Sequence, residues 1–369
     1  MSISSRISLA VSNKNVITAG AVAAVLAIAA LVIWHSMASG FFSAAEAETG
    51  VAGPAQVVND TTASGGKAVQ FMAAAPTPPP PTPTPTPTPT PPPSPGSRPD
   101  PFPAGMKPDA TNTGVVAGTS LTVVSGNITY SSSSNGQTIN GKDFHGFVKV
   151  TGANITFTNC IFRGQATSSN NALLDTESST GTITVKDSEF VPSNPSATID
   201  GMWLVNTKVY RANVHGTVDG IKAASNSLIQ NSYIHDMQWF ASDPNQGGGE
   251  THNDAIQILE GNNIVLNANT LYTGGTQSNS AVQLTQDFAA VSNVTITNNW
   301  VDYGGCTLNL TQKPLASVSV GPVTGNRFGR HQGFSNCAIL IGTKTTLTQN
   351  SGNVWDDTGA AIPAPQQHD

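Results

Sequence analysis

The chain has 369 residues, of which only 10% are charged, and its formal net charge is −6. Because about a quarter of the residues in an average globular protein are charged, this charge-poor sequence with many Gly, Asn, Ser and Thr indicates turns and strands rather than surface helices. The acidic balance offers no basic surface for phosphate backbones, so we expect no nucleic-acid partner. Three cysteines exclude a disulfide framework and a zinc site of ordinary spacing.

The N-terminal region predicts where the protein works. Residues 16–34, VITAGAVAAVLAIAALVIW, are uncharged and mostly apolar, long enough to cross a hydrocarbon core of roughly 30 Å. Arg6 and Lys14 precede this segment and Trp34 ends it, so we expect residues 1–15 in the cytoplasm and the rest of the chain outside. A cleaved signal peptide is the alternative, with the small-residue sequence AEA at 45–47 as the cleavage site. The protein is therefore predicted to be extracytoplasmic, either anchored at the cell surface or secreted.

Residues 35–110 are predicted to be a disordered linker rich in Pro and Thr. Its run PTPPPPTPTPTPTPTPPPSPG excludes helix and sheet, because proline fixes φ and lacks an amide donor. Polyproline II rises about 3.1 Å per residue, so twenty-odd such residues reach roughly 60 Å. This segment would hold the following domain away from the membrane.

From residue 111 the sequence repeats a short pattern of alternating apolar and polar residues. Segments such as NITFTNCIF (154–162), TITVKDSEF (182–190) and NVTITNNWV (293–301) align with one another. The first inward column contains Phe157, Val185, Val209, Ile229, Leu266, Ile296 and Val323. The second contains Phe162, Phe190, Val214, Ile234, Leu271, Val301, Phe328 and Trp355. Repeats of 20 to 37 residues built from short strands predict an all-β parallel β-helix over residues 111–362 and a tail over 363–369.

A third set of aligned segments, including DGMWL (200–204), DGIKA (219–223) and DAIQI (254–258), completes each coil. Its inward residues are predicted to be Leu173, Met202, Ile221, Ile256, Val282 and Ile339. The residues that follow them are predicted to face outward, and they are Leu174, Trp203, Lys222, Gln257, Gln283, Asn309 and Leu340.

With HGTVDGIK (215–222), SDPNQGGGETHND (242–254) and NRFGR (326–330), the sequence resembles right-handed parallel β-helix proteins of the pectate-lyase-like superfold. It is similar in particular to secreted actinobacterial β-helix proteins that carry these segments, over residues 112–359. The resemblance implies a right-handed parallel β-helix. It does not imply one activity, because the superfold includes lyases, hydrolases, esterases and non-catalytic adhesins.

Two sets of titratable residues occupy matching positions on successive coils. Asp200, Asp219 and Asp254 precede the outward strand on three coils, and His215 and His235 align on two. An Asp before Gly is also an ordinary turn residue. Carboxylates stacked about 4.8 Å apart need a proton, a cation or backbone donors. With Lys222 nearby, the set predicts a catalytic site in which the three aspartates could hold Ca²⁺.

The sequence between His235 and Asp254 is the longest insertion among these coils. Insertions in solenoids collect on a functional face, and aromatic side chains stack on sugar rings, although such a loop can also simply cap a coil edge. The predicted substrate-binding residues, in the insertion and on the outward strand, are Trp203, Trp239, Phe240, His252, Asn253, Gln257 and Gln283.

Three functions fit these residues, all with a polysaccharide as partner. In a polysaccharide lyase, Lys222 or His215 would remove the proton next to a uronate carboxylate while a cation stabilises the enolate. In a glycoside hydrolase, two of the aspartates would act as the catalytic pair, with Asp219 and Asp254 about 5 Å apart. The third possibility is a non-catalytic surface protein that binds glycan. We expect a monomer in each case.

Cys306 and Cys337 fall at one register position on consecutive coils. Stacked Cα atoms lie about 4.8 Å apart, within the roughly 4.4 to 6.8 Å that a disulfide spans. We therefore predict a Cys306–Cys337 disulfide, formed in an oxidising compartment, and a reduced, buried Cys160.

Overall fold

The structure, a computed structural model, describes residues 55–59, 61–62, 67–71, 98–99, 102–275 and 277–368. Within these ranges, no helix is long and apolar enough to cross a membrane. The predicted membrane segment 16–34 and the proline-rich run lie outside the described residues.

The chain forms two compact units, Met1–Thr90 and Pro91–Asp369. In the first unit, β1 (Ala55–Asn59) pairs antiparallel with β2 (Lys67–Phe71). Both strands lie within residues 35–110, where the sequence predicted a disordered linker. The two strands contain apolar residues and no Pro or Thr, whereas the prediction weighed the Pro and Thr content of the whole stretch.

The second unit consists of three long parallel sheets, and successive coils of the chain add strands to them. Sheet A contains β3 (Thr122–Ser125), β6 (Lys142–His145), β9 (Ile161–Phe162), β12 (Glu189–Phe190), β15 (Asn213–His215), β18 (Tyr233–His235), β21 (Thr270–Tyr272), β24 (Trp300–Asp302), β28 (Arg327–Phe328) and β32 (Val354–Trp355). Sheet B contains β4 (Ile128–Tyr130), β7 (Val148–Val150), β10 (Asn171–Asp175), β13 (Ile199–Leu204), β16 (Ile221–Ala223), β19 (Asp254–Ile258), β22 (Ser280–Leu284), β25 (Leu308–Leu310), β29 (Ile339–Ile341) and β33 (Gln366–Gln367). Sheet C contains β5 (Thr138–Asn140), β8 (Thr156–Thr158), β11 (Ile183–Lys186), β14 (Thr207–Tyr210), β17 (Ser227–Gln230), β20 (Gly261–Asn267), β23 (Val291–Thr297), β27 (Val323–Thr324) and β31 (Asn350–Ser351).

The remaining elements are short. A separate parallel pair is formed by β26 (Val318–Val320) and β30 (Thr345–Leu347), and single 3-10 turns occur at Ser132–Ser134 and Pro244–Gln246. The predicted all-β architecture is confirmed, and the three stacked sheets are consistent with a parallel β-helix.

The inward columns have the predicted register. In sheet C, Val209 pairs with Val185 and Ile229, and in sheet A, Val214 pairs with Phe190 and Ile234. These side chains are fully buried. Each coil alone has too little apolar surface for a core, so stacking on its neighbours is what buries these residues.

An asparagine ladder stabilises the corner between sheets C and A. Asn269, Asn299, Asn326 and Asn353 are buried on successive coils, and the backbone N–H of each of the first three donates to Oδ1 of the next Asn at 2.9 to 3.0 Å. The residue before each ladder position has positive φ, for example Asn298 at 58°. Asn298, Gly325 and Gly352 are of residue types that adopt this left-handed conformation readily, and Ala268 is the exception.

Both ends of the predicted β-helix domain extend further than expected. Upstream of residue 111, Phe102 is buried and Arg98 forms an ion pair with Asp187 at 3.1 Å. Downstream, Gln366 and Gln367 in the predicted tail pair with β29 as the last strand of sheet B. The flanking segments lack the repeat pattern, so the sequence gives no signal that they pack on the coils.

The predicted disulfide is confirmed. Cys306 and Cys337 are joined, with their Cα atoms 4.8 Å apart on consecutive coils. Cys160 is free and buried, and burial raises the pKa of its thiol to about 11. Cys160 is therefore a small core residue in the thiol form at neutral pH.

Candidate functional site

The outward face of sheet B carries a row of polar and aromatic side chains. Trp203 pairs with Lys222, Lys222 with Gln257, and Gln257 with Gln283. Neighbouring strands are about 4.8 Å apart, so the row extends about 14 Å along the axis of the coils. The predicted outward order is confirmed over these four coils.

The prediction for β10 was wrong by one residue. Leu174 was expected to face outward beside Trp203, but it pairs with Met202 and is fully buried, while Asp175 lies opposite Trp203. Leu173 is buried as well. Two adjacent apolar residues interrupt the alternation from which a register is inferred.

Asp200, Asp219 and Asp254 stack on successive coils as predicted. The backbone N–H of Asp219 donates to Oδ1 of Asp200 at 3.3 Å, and that of Asp254 donates to Oδ1 of Asp219 at 2.9 Å. All three residues are buried, Asp254 completely. Amide donors therefore provide part of the compensation that stacked carboxylates require.

Lys222 provides the positive charge of the cluster. Its Nζ donates to Oδ2 of Asp200 at 2.5 Å and to Oδ2 of Asp219 at 3.0 Å. Nε1 of Trp203 donates to the same Asp200 oxygen at 2.7 Å. Asp254 has a different partner, since Nδ2 of Asn279 lies 3.1 and 3.2 Å from its two oxygens.

These contacts bear on the predicted calcium site. Ca²⁺ takes roughly six to eight oxygen ligands, but the ammonium of Lys222 lies between Asp200 and Asp219. In the part of the chain that the structure describes, no group of three or more His, Cys, Asp or Glu is arranged to hold a metal. The carboxylates fit a lysine here rather than Ca²⁺, and the calcium site stays a prediction.

The cluster changes the protonation of its members. Burial raises the pKa of Asp219 to about 6. The positive charge of Lys222 lowers this pKa and the negative charge of Asp200 raises it, but burial has the largest effect. Burial and the neighbouring Asp219 raise the pKa of Asp254 well above its ordinary value. Burial would lower the pKa of Lys222, but the two carboxylates outweigh it and raise that pKa instead. Lys222 is therefore an ammonium ion at neutral pH and a poor general base.

Asp200, Asp219, Lys222 and Trp203 line a cleft of about 720 Å³. The predicted substrate residues Gln257, Gln283 and His252 line the same cleft. Sequence reasoning missed several lining residues, and they include Glu177, Asn245, Asn279, Asp287 and Phe288. Most of these lie in loops, where no strand alternation identifies them.

The insertion contributes to two pockets. Asn245 and Asn170 exchange two amide hydrogen bonds, at 2.8 and 3.0 Å, which hold the insertion beside β10 along the cleft. Trp239 and Asn253, which were predicted to bind the same substrate, line a separate pocket of about 320 Å³. Phe240 lines neither pocket; its backbone bonds to Thr251.

The two predicted catalytic histidines lie on sheet A rather than in the cleft. His215 and His235 are in register and their rings stack with centroids 4.9 Å apart. Nε2 of His215 bonds to Glu189 at 3.1 Å, and Nδ1 of His235 bonds to Asp236 at 2.7 Å. The structure thus keeps Lys222 and the aspartates together and places the histidines on a different face.

Asp254→Asn tests the protonation of the stack. A folded-state pKa above the unfolded value means that the native state binds the proton more tightly, so this group costs stability once pH rises above the unfolded value of about 3.9. We expect Asp254→Asn to raise the thermal midpoint at pH 8 and to lose that advantage near pH 4. Calorimetry across this range checks it. Equal destabilisation at every pH would show that Asp254 acts only as a hydrogen-bond partner.

Comparison of this chain with protein-family models, curated proteins and solved structures gives no match. The chemistry of the cleft must therefore be inferred from its own residues.

Proposed function

We propose that the β-helix domain is a glycoside hydrolase that acts on a neutral polysaccharide. The observation that carries this proposal is the pair Asp200 and Asp219 at the cleft, bridged by one ammonium group. Their Oδ2 atoms lie 2.5 and 3.0 Å from the same Nζ, so they are at most about 5.5 Å apart. This upper limit is compatible with the roughly 5 to 5.5 Å of retaining glycosidases and is shorter than the roughly 6.5 to 9.5 Å of inverting ones.

The two carboxyl groups have different environments, as acid and nucleophile require. Asp219, with its raised pKa, protonates the leaving glycosidic oxygen while Asp200 attacks the anomeric carbon. Water then cleaves the ester on Asp200, and Asp219 takes the proton. Lys222 and Trp203 hold the Asp200 carboxylate in place. The pair Asp219 and Asp254, predicted from the sequence, is less suitable, since Asp254 is fully buried.

Electrostatics favour hydrolysis over the lyase reaction. Five cleft-lining carboxyl groups belong to Glu177, Asp200, Asp219, Asp243 and Asp287. Among the described residues that line the cleft, Lys222 is the only Lys or Arg. A polyuronate would be repelled by this acidic wall. Both lyase base candidates are also unfavourable, since Lys222 is held as an ammonium ion and His215 lies on sheet A.

Binding without cleavage is the second candidate, and one observation favours it. The side chains of Asp200 and Asp219 are only 8% and 4% exposed and already accept hydrogen bonds from the protein. A substrate would have to displace part of this network to be cleaved. The polar cleft and its aromatic residues would serve glycan binding in either case.

A glycan panel tests the proposal. The purified domain is incubated with neutral and uronate polysaccharides, and new reducing ends and the ultraviolet absorbance of unsaturated uronate ends are followed. We expect reducing ends from a neutral glycan without unsaturated products. Unsaturated ends would support the lyase instead, and retention of a glycan without any product would support binding alone.

The pH dependence of kcat/KM should follow the protonation of Asp219. Because the acid must carry a proton and its pKa is about 6, we expect kcat/KM to fall about tenfold per pH unit above that value. Initial rates between pH 5 and 9 measure this limb. A rate that stays constant through pH 8 would exclude Asp219 as the proton donor.

We also propose that the domain is located outside the cytoplasmic membrane. The Cys306–Cys337 disulfide supports an oxidising, extracytoplasmic location. Together with the apolar segment 16–34 and the proline-rich run, it suits a domain displayed outside the membrane on a stalk. We propose a right-handed coil of the pectate-lyase-like kind for the solenoid.

A further inference from the structure

Phe288 is a large apolar side chain left exposed at the cleft. It is 73% exposed, more than the other exposed large apolar residues of the described chain, and it lines the cleft with Trp203. Exposed aromatic rings that line a cleft are typical of ligand contacts, and a sugar ring stacks on them through its apolar face.

The loop that carries Phe288 is held in place. The backbone N–H of Phe288 donates to the carbonyl of Leu259 at 3.2 Å, which ties the loop to the preceding coil. Next to it, the hydroxyl of Thr285 donates to Asp287 at 2.6 Å. Because these hydrogen bonds hold the loop, less conformational entropy of the loop is lost when the Phe288 ring binds a ligand.

The register gives the number of coils between Trp203 and the strand that precedes Phe288. Phe288 follows β22, whose Gln283 lies three coils beyond Trp203 in the outward row. Three strand spacings amount to about 14 Å. One strand spacing is close to the length that one sugar unit adds to an extended glycan chain, so the coils that carry Trp203 and Phe288 suit sugars about three units apart.

We infer that the cleft binds an extended glycan parallel to the axis of the coils, with Phe288 as a distant subsite three units from the sugar at Trp203. Gln257 and Gln283 lie between them and offer donors and acceptors to the hydroxyl groups of the intervening units. This inference rests on the proposed function and adds to it that the substrate has at least four units. Shorter oligosaccharides do not reach Phe288 from the catalytic pair.

Phe288→Ala tests this inference with β-1,4-linked oligomers of glucose, xylose and mannose, each from two to six units long. We expect the variant to lose about tenfold in kcat/KM, equivalent to about 1.4 kcal/mol, for oligomers of four to six units. The loss should appear mainly in KM, and dimers and trimers should be unaffected. For a binder, titration of the same oligomers should give the same length dependence in Kd.

Phe334→Ala is the matched control, because Phe334 is 67% exposed and does not line the cleft. Phe334→Ala should leave kcat/KM and KM unchanged for every oligomer. Equal loss for short and long oligomers with Phe288→Ala, or no loss at any length, overturns the inference while the proposed function stands. A wild-type domain that neither binds nor cleaves any oligomer contradicts the proposed function itself.

Discussion

Asp200→Asn and Asp219→Asn are each expected to reduce glycan hydrolysis by about 10²- to 10⁴-fold, the range that a positioned acid or base contributes. Asn keeps the size of the side chain and one acceptor oxygen, so the coils should remain folded. Asp200→Asn removes the nucleophile that Lys222 and Trp203 hold, and Asp219→Asn removes the proton donor. Initial rates on the glycan identified by the panel measure both losses.

Asp302→Asn controls for the loss of a buried carboxylate. The Asp302 side chain is 8% exposed, as is that of Asp200, but Asp302 lies on sheet A and bonds to His331. We expect its activity to stay within about threefold of wild type. Activity that survives in both cleft variants would move the catalytic centre elsewhere. If instead the two variants bind glycan normally and the wild type cleaves nothing, the domain is a binding protein.

The columns of the solenoid could be predicted because their physical cause is periodic. Residues such as Val209 and Val214 recur at matched positions, and stacking requires that they face inward. The same argument located the aspartate stack and the two cysteines, since register alone determines which residues are neighbours on adjacent coils. It failed at Leu173 and Leu174, where two consecutive apolar residues are both buried.

The partners within the site could not be predicted in the same way. Sequence spacing brought His215 close to Asp219, but the intervening turn sends the chain from sheet A to sheet B, and the two side chains serve different faces. The bridging role of Lys222 depends on where its flexible side chain ends. Asn279 and Phe288 lie in connections between strands, where neither alternation nor repeat spacing applies.

Removal of the disulfide is expected to have the largest effect on stability. Cys306 and Cys337 are 31 residues apart, and in the chain-entropy model a loop of this size contributes about 3 to 4 kcal/mol. Both residues are buried between coils, so Ala at both positions leaves only small cavities. We expect the double Ala variant to lose about 3 to 4 kcal/mol in the free energy of unfolding, measured by denaturant titration.

Two measurements separate the crosslink from the loss of two side chains. Reduction of the wild type should lower its stability by nearly the same amount, whereas the double Ala variant should not respond to the reductant. Cys160→Ala is the control within the core, because Cys160 is buried but free; it should leave the response to reductant unchanged. Since the bridge joins the same position that Asp254 and Ser280 occupy on earlier coils, a mass spectrum with three alkylated cysteines would contradict the bridge and, with it, the coil register that places Asp200 beside Asp219.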